Sequence, residues 1–176
     1  MKKLKRDVKK FLDIILRYLI LILVALPGLW IFYFVFTPLT IYPIYFFFGL
    51  FSEVSLIGNI LLINDKLAVE FIRACIAGSA YYLLLTLNLS IPSIKLKKRF
   101  KMITFAFATL LFVNILRIVI LISIYGFKYF DVTHEFFWYF VSTIFVIGIW
   151  FSEVKIFKIK QIPFYSDLKF LYKQIK

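Results

Sequence analysis

Long apolar runs separated by short basic stretches set the pattern of this chain. An α-helix rises 1.5 Å per residue, so about 17 to 25 mostly apolar residues cross a hydrocarbon core of about 30 Å. Four runs reach that length: Ile14 to Phe36, Ala74 to Ile91, Met102 to Tyr125 and His134 to Phe151. They predict four transmembrane helices, the first of them bent at Pro27-Gly28. That first run is too long for a simple secretory signal and lacks a small-residue cleavage site, so it is expected to be retained.

Between the first two runs the pattern changes. Thr37 to Ser52 is apolar but carries Pro38 and Pro43, and counting it as a fifth span would reverse every later loop. It is expected to form an external helix lying in the interface or dipping into it, with Tyr42 and Tyr45 at headgroup level. Further on, Ile60 to Ile63 and Lys66 to Ile72 flank Asn64-Asp65, two residues that tolerate positive φ, which predicts a hairpin. No repeat, low-complexity tract or soluble linker divides residues 1–176. The expected fold is therefore one all-α integral membrane domain of about four transmembrane helices, with a short external interfacial helix and a β-hairpin-like segment.

Composition sharpens this picture. The chain is 63% hydrophobic and 21% aromatic, against about 45–50% apolar residues in soluble proteins, which excludes a water-soluble domain. Its net charge of +13 would suggest nucleic acid in a soluble chain. Here, however, 18 of the 22 Lys and Arg residues fall in 1–17, 95–101 and 155–176, all but Arg17 between or beyond the apolar runs. Basic loops stay on the cytoplasmic side. The expectation is a multi-pass plasma-membrane protein with cytoplasmic tails, 1–13 and 152–176, and with residues 37–73 and 126–133 outside. No nucleic-acid partner is expected. One cysteine and one histidine exclude an internal disulfide and a structural zinc site, and no metal or cofactor is expected.

Three side chains stand out against this background. Arg117 lies inside the third run, where a guanidinium costs roughly 2.5 to 3.5 kcal/mol on insertion scales, and it sits about 12 Å from the outer end at Tyr125. Asn114 shares its helical face and is placed to accept from the guanidinium or to hold a neighbouring backbone group. Alternatively the two residues clamp helices together, or Arg117 pairs with an external carboxylate such as Glu135. Cys75 falls where the external segment feeds the second run; a lone cysteine in an apolar helix is otherwise a small packing residue. His134 opens the fourth run beside Glu135, with an unperturbed pKa near 6.5 that suits proton transfer, although an interfacial anchor would look the same. All three fall on the outer face.

Together these elements resemble a known family. Ala74-Cys75-Ile76-Ala77-Gly78-Ser79 after a short external β-like segment, then Asn114-Ile-Leu-Arg117-Ile118, then His134 at the start of a span, is similar to the exosortase/archaeosortase family of membrane transpeptidases. The resemblance covers roughly Pro38 to Trp150. It departs from the usual pattern in that Ile76 and Ala77 intervene between the cysteine and Gly78. It implies a polytopic enzyme acting on exported proteins that carry a C-terminal sorting signal of a short motif, a transmembrane helix and a basic cluster. The new carboxyl end would be joined to a lipid or other surface acceptor. Cys75, Arg117 and His134 stand at the positions of that family's catalytic triad.

The chemistry is coherent without the family. An amide carbonyl at the membrane surface needs a nucleophile, a proton carrier and a group that holds the developing oxyanion. Cys75, His134 and Arg117 supply these in turn, with Asn114 in support. Arg73, two residues before Cys75, is a rival for the cationic role. The competing reading is a non-catalytic membrane scaffold or transport accessory in which Arg117 and Asn114 glue helices and Cys75 only packs.

Overall fold

The computed structural model describes residues 2–127, 130–136 and 142–175. Eight helices and three strands are present among them. In chain order they are α1 (Lys2–Ala25), α2 (Trp30–Gly49), β1 (Val54–Ile57), β2 (Ile60–Ile63), β3 (Leu67–Glu70), α3 (Arg73–Ile76), α4 (Gly78–Leu89), α5 (Leu96–Ser123), α6 (Phe130–Phe136), α7 (Ser142–Ile156) and α8 (Tyr165–Ile175). Of these, α2 and α5 are long and apolar enough to cross a membrane.

The first expected span, Ile14 to Phe36, is two helices. Proline at 27 cannot continue the backbone ladder, and Gly28 and Leu29 both take φ of 61°, which turns the chain between α1 and α2. The segment expected as a separate interfacial helix instead continues α2, which runs unbroken from Trp30 through Pro38 and Pro43 to Gly49. Each proline removes one donor, a loss that apolar helices tolerate where neighbouring helices pack against them. Buried Phe32, Phe36, Thr40, Ile41 and Ile44 provide that packing.

The expected span Ala74 to Ile91 is also interrupted. Ala77 adopts φ 59° and ends the single turn of α3 before the twelve residues of α4 begin. Twelve residues rise only about 18 Å. Of the expected fourth span, residues 137–141 lie outside the described residues, and α6 and α7 flank them.

The hairpin is present and is part of a larger sheet. β2 and β3 pair antiparallel in the register Ile63↔Leu67 to Ile60↔Glu70. Asn64 and Asp65, with φ of 52° and 53°, make the turn, and the Glu53 backbone N–H donates to Asn64 Oδ1 at 3.1 Å. The sequence reading missed β1, which pairs with β2 through Ile57↔Ile60. Its signals were the Val54-Ser-Leu-Ile57 alternation and the two-residue Gly58-Asn59 loop, with glycine first at φ 62°.

Two apolar clusters fix the elements around the sheet. Phe32 and Phe36 of α2 stack on Tyr81 of α4, the closer centroids 3.7 Å apart, and Phe107 of α5 meets all three edge-on. A second cluster of Ile41, Ile44, Leu61, Ile63, Phe71 and Ile118 locks the sheet onto α2 and α5. The end of the molecule away from the sheet is polar instead. Arg17 of α1 donates to both oxygens of Asp167 in α8 at 3.0 Å and to the Leu89 carbonyl at 2.7 Å. Arg99 caps the C-terminus of α4 through the carbonyls of Asn88, Leu89 and Ile91.

Candidate functional site

Cys75, Arg117 and His134 line one cavity of about 230 Å³ beside the sheet. They come from three elements, α3, α5 and α6, that are remote in sequence. The remaining wall is Leu67 to Glu70 of β3, the α5 residues Ile118, Leu121 and Ile122, then Tyr125 and Phe130.

Each residue is held by identifiable contacts. The Cys75 backbone N–H donates to the Ile72 carbonyl at 2.9 Å. Asn114 Nδ2 donates to the Cys75 carbonyl at 2.8 Å, so α5 grips the one-turn helix at the cysteine itself. Of the two roles open to Asn114, the structure supplies the hold on a neighbouring backbone group. Arg117, one turn further along, is 6% exposed. The His134 ring stacks on Phe130, with centroids 5.8 Å apart and planes at 19°.

The approach of α4 to α2 depends on a glycine. A Cβ at Gly78 would sit 2.7 Å from Tyr33 Cζ, so only glycine lets that ring lie against the start of α4. The Arg73 guanidinium lies over the same Tyr33 ring, 5.4 Å from its centroid. Arg73 is not among the residues that line the cavity, and the guanidinium there is that of Arg117. Glu135, weighed as an ion-pair partner for Arg117, is exposed and likewise does not line it.

Cys75 is half-buried in α3, ahead of α4, and its thiol is pulled in both directions. Burial pushes its pKa up; a separate hydrogen bond between the sulfur and the Ile72 backbone and the positive charge of Arg117 pull it down, and Glu70 pushes it up again. The net direction is upward, which leaves the thiol protonated until a base removes the proton. Nucleophilic attack by such a thiol would need a base, and His134 lines the same cavity.

Glu70 is the lining residue that the sequence reading did not identify. It belongs to β3, one of the two edge strands of the sheet among the described residues. The Phe71 N–H donates to the Asn59 carbonyl, so alternation turns the N–H groups of Leu67 and Val69 toward β2 and those of Ala68 and Glu70 away. Consecutive strand side chains point to opposite faces, and a cavity that touches all four β3 residues therefore runs along its edge. That edge is a ready template for an extended peptide.

A larger cavity of about 380 Å³ lies at the polar end, lined by Lys9, Lys10, Asp13 and Arg17 among others. It holds no cysteine or histidine, and Arg17 is already engaged by Asp13 and Asp167. Among the described residues, no three His, Cys, Asp or Glu side chains gather as a metal site would require. No protein-family model, curated protein or solved structure matches this chain.

Proposed function

We propose that this chain is a membrane-embedded cysteine transpeptidase of the exosortase/archaeosortase kind, cleaving C-terminal sorting signals of exported proteins and passing them to a lipid or other surface acceptor. The observation that carries this reading is the convergence of Cys75, Arg117 and His134 on one cavity along the β3 edge. The substrate backbone adds to that edge through the outward groups of Ala68 and Glu70, which brings its carbonyl to the thiol.

The reaction runs in two halves. His134 takes the proton from the Cys75 thiol as sulfur attacks the amide carbonyl carbon, and the oxyanion that forms faces Arg117. Collapse breaks the C–N bond, and the imidazolium returns the proton to the leaving amine, which leaves a thioester on Cys75. An acceptor amine or hydroxyl then loses its proton to His134 and attacks the thioester, and Cys75 departs as the thiolate. The thiolate finally regains that proton.

The membrane frame of the proposal places α2 and α5 across the bilayer, with the shorter α4 and α7 returning the chain beside them, the sheet and cavity outside and both termini inside. It is supported by the length of α2 and α5 and by the distribution of basic residues. Exposed Trp30, Phe34, Leu39 and Phe46 on α2 and Phe112 and Leu116 on α5 also present apolar surface that suits lipid. α1 and α8, tied by Arg17 and Asp167, lie along the inner interface. Reporter fusions at Lys66 and Lys98 are expected on opposite sides.

The test of function is co-expression with an exported protein bearing such a tripartite tail, followed by its shift on a gel. Cys75→Ala and Cys75→Ser are expected to abolish processing while the protein still accumulates in the membrane. Normal processing by Cys75→Ala would leave the scaffold or transport-accessory reading in its place.

A further inference from the structure

At the polar end, two loops distant in sequence converge on a groove of about 310 Å³. Ser93, Ile94, Lys95 and Lys98 form one wall, from the α4–α5 loop and the first turn of α5; Lys158, Lys160 and Gln161, from the α7–α8 loop, form the other. Four ammonium groups thus border one concavity, and no carboxylate is among its lining residues. The N-terminus of the 28-residue α5, whose first turn holds no acidic residue, adds its partial positive charge on the same side. Like charges held together repel one another, and an anion in the groove would offset that repulsion.

The backbone is shaped to keep this arrangement. Lys158 ends α7 at φ 48°, with Ile159 N–H donating back to the Val154 carbonyl at 2.9 Å. Helix termini of this form usually place glycine at the left-handed position. Ser93, on the opposite wall, has φ 59°. Apolar side chains adjoin the lysines in sequence: Leu96, Phe100, Ile156 and Ile162 are all exposed. Cations beside exposed apolar surface match a ligand with a phosphate and acyl chains better than they match a free ion.

We propose that this groove binds the phosphate headgroup of an anionic membrane phospholipid. The assignment rests on the membrane placement above and is independent of the chemistry at Cys75. It anchors the α4–α5 and α7–α8 loops at one membrane face.

Native mass spectrometry on detergent-purified protein, titrated with phosphatidylglycerol or phosphatidylcholine, tests it. Phosphatidylglycerol is expected to bind at least about tenfold more tightly than phosphatidylcholine, and Lys98→Gln with Lys160→Gln to weaken it about 30-fold. Lys95→Gln with Lys158→Gln should do the same. The control pair Lys97→Gln with Lys101→Gln removes equal charge, from the same end of α5, but neither residue lines the groove, and it is expected to change binding less than about threefold. Equal losses in groove and control pairs would overturn the proposal in favour of a diffuse positive field. No preference for phosphatidylglycerol would also overturn it, as would its displacement by equimolar inorganic phosphate. Recovery of the wild-type protein in the soluble fraction would overturn both the membrane placement and the lipid assignment.

Discussion

Asn114→Ala tests the hold of α5 on Cys75, the proposed nucleophile. The amide donates to the Cys75 carbonyl at 2.8 Å, and Asn114 is only 3% exposed, so water does not readily replace it. The bond is partly buried, and leaving a fully buried carbonyl without its donor costs about 1 to 3 kcal/mol, which bounds the loss here. Because α3 is a single turn, this bond is a large part of what fixes Cys75, and the cost falls on the position of the sulfur. If all of it appears in the barrier, attack by Cys75 slows roughly 5- to 150-fold. Asn114→Asp is nearly isosteric but donates nothing when ionised and adds a negative charge near the thiol. It is expected to slow the reaction at least as much and to move the thiol titration to higher pH. The assay is the rate of Cys75 alkylation by a small thiol reagent across pH, measured beside substrate processing and thermal unfolding. If Asn114→Ala left the alkylation rate, its pH profile and the unfolding temperature unchanged, the positioning role would be refuted.

Three further outcomes are expected. Arg117→Lys keeps the charge but loses the planar fork of donors, and processing should fall at least about 100-fold at unchanged protein level, read by substrate cleavage. Because burial raises the Cys75 thiol, its alkylation should rise with pH above the ordinary thiol range. Arg117→Gln removes a charge that favours the thiolate, and should shift that rise higher still. Asp167→Ala leaves Arg17 with only Asp13 and the Leu89 carbonyl, and breaking such a buried pair should cost about 3 kcal/mol in thermal unfolding without altering Cys75 alkylation.

Local chemistry was legible in the chain wherever a residue dictates its own backbone. Asn64-Asp65 carries the positive φ of the hairpin turn, and Pro27-Gly28 carries the bend, although there the structure breaks the helix outright. The third apolar run likewise announced α5, whereas α2 straddles the boundary drawn at Phe36. Pro38 and Pro43 misled the reading because their cost is local, whereas the packing that outweighs it is supplied by other elements. The candidate side chains were readable as residue types at one membrane face; their convergence on a cavity, and the inclusion of Glu70, were not.

Periodicity reports which face of an element is buried, but not the element against which it packs. The tie of Asn114 to Cys75 spans 39 residues and that of Arg17 to Asp167 spans 150, and neither leaves a trace in the local pattern. Arg17 and Arg99 read as topology-setting charges in the sequence, yet both are buried and bonded to the carbonyls at the end of α4. Membership in a hydrogen-bonded network is a property of distance in space. By itself the sequence determined the membrane-like composition, the turns and the candidate nucleophile, because those depend on one residue or one short segment. Only the tertiary structure decided which cation faces the cysteine, which carbonyl Asn114 holds and which lysines share a groove, since each requires two distant segments to be brought within hydrogen-bonding or Coulombic range.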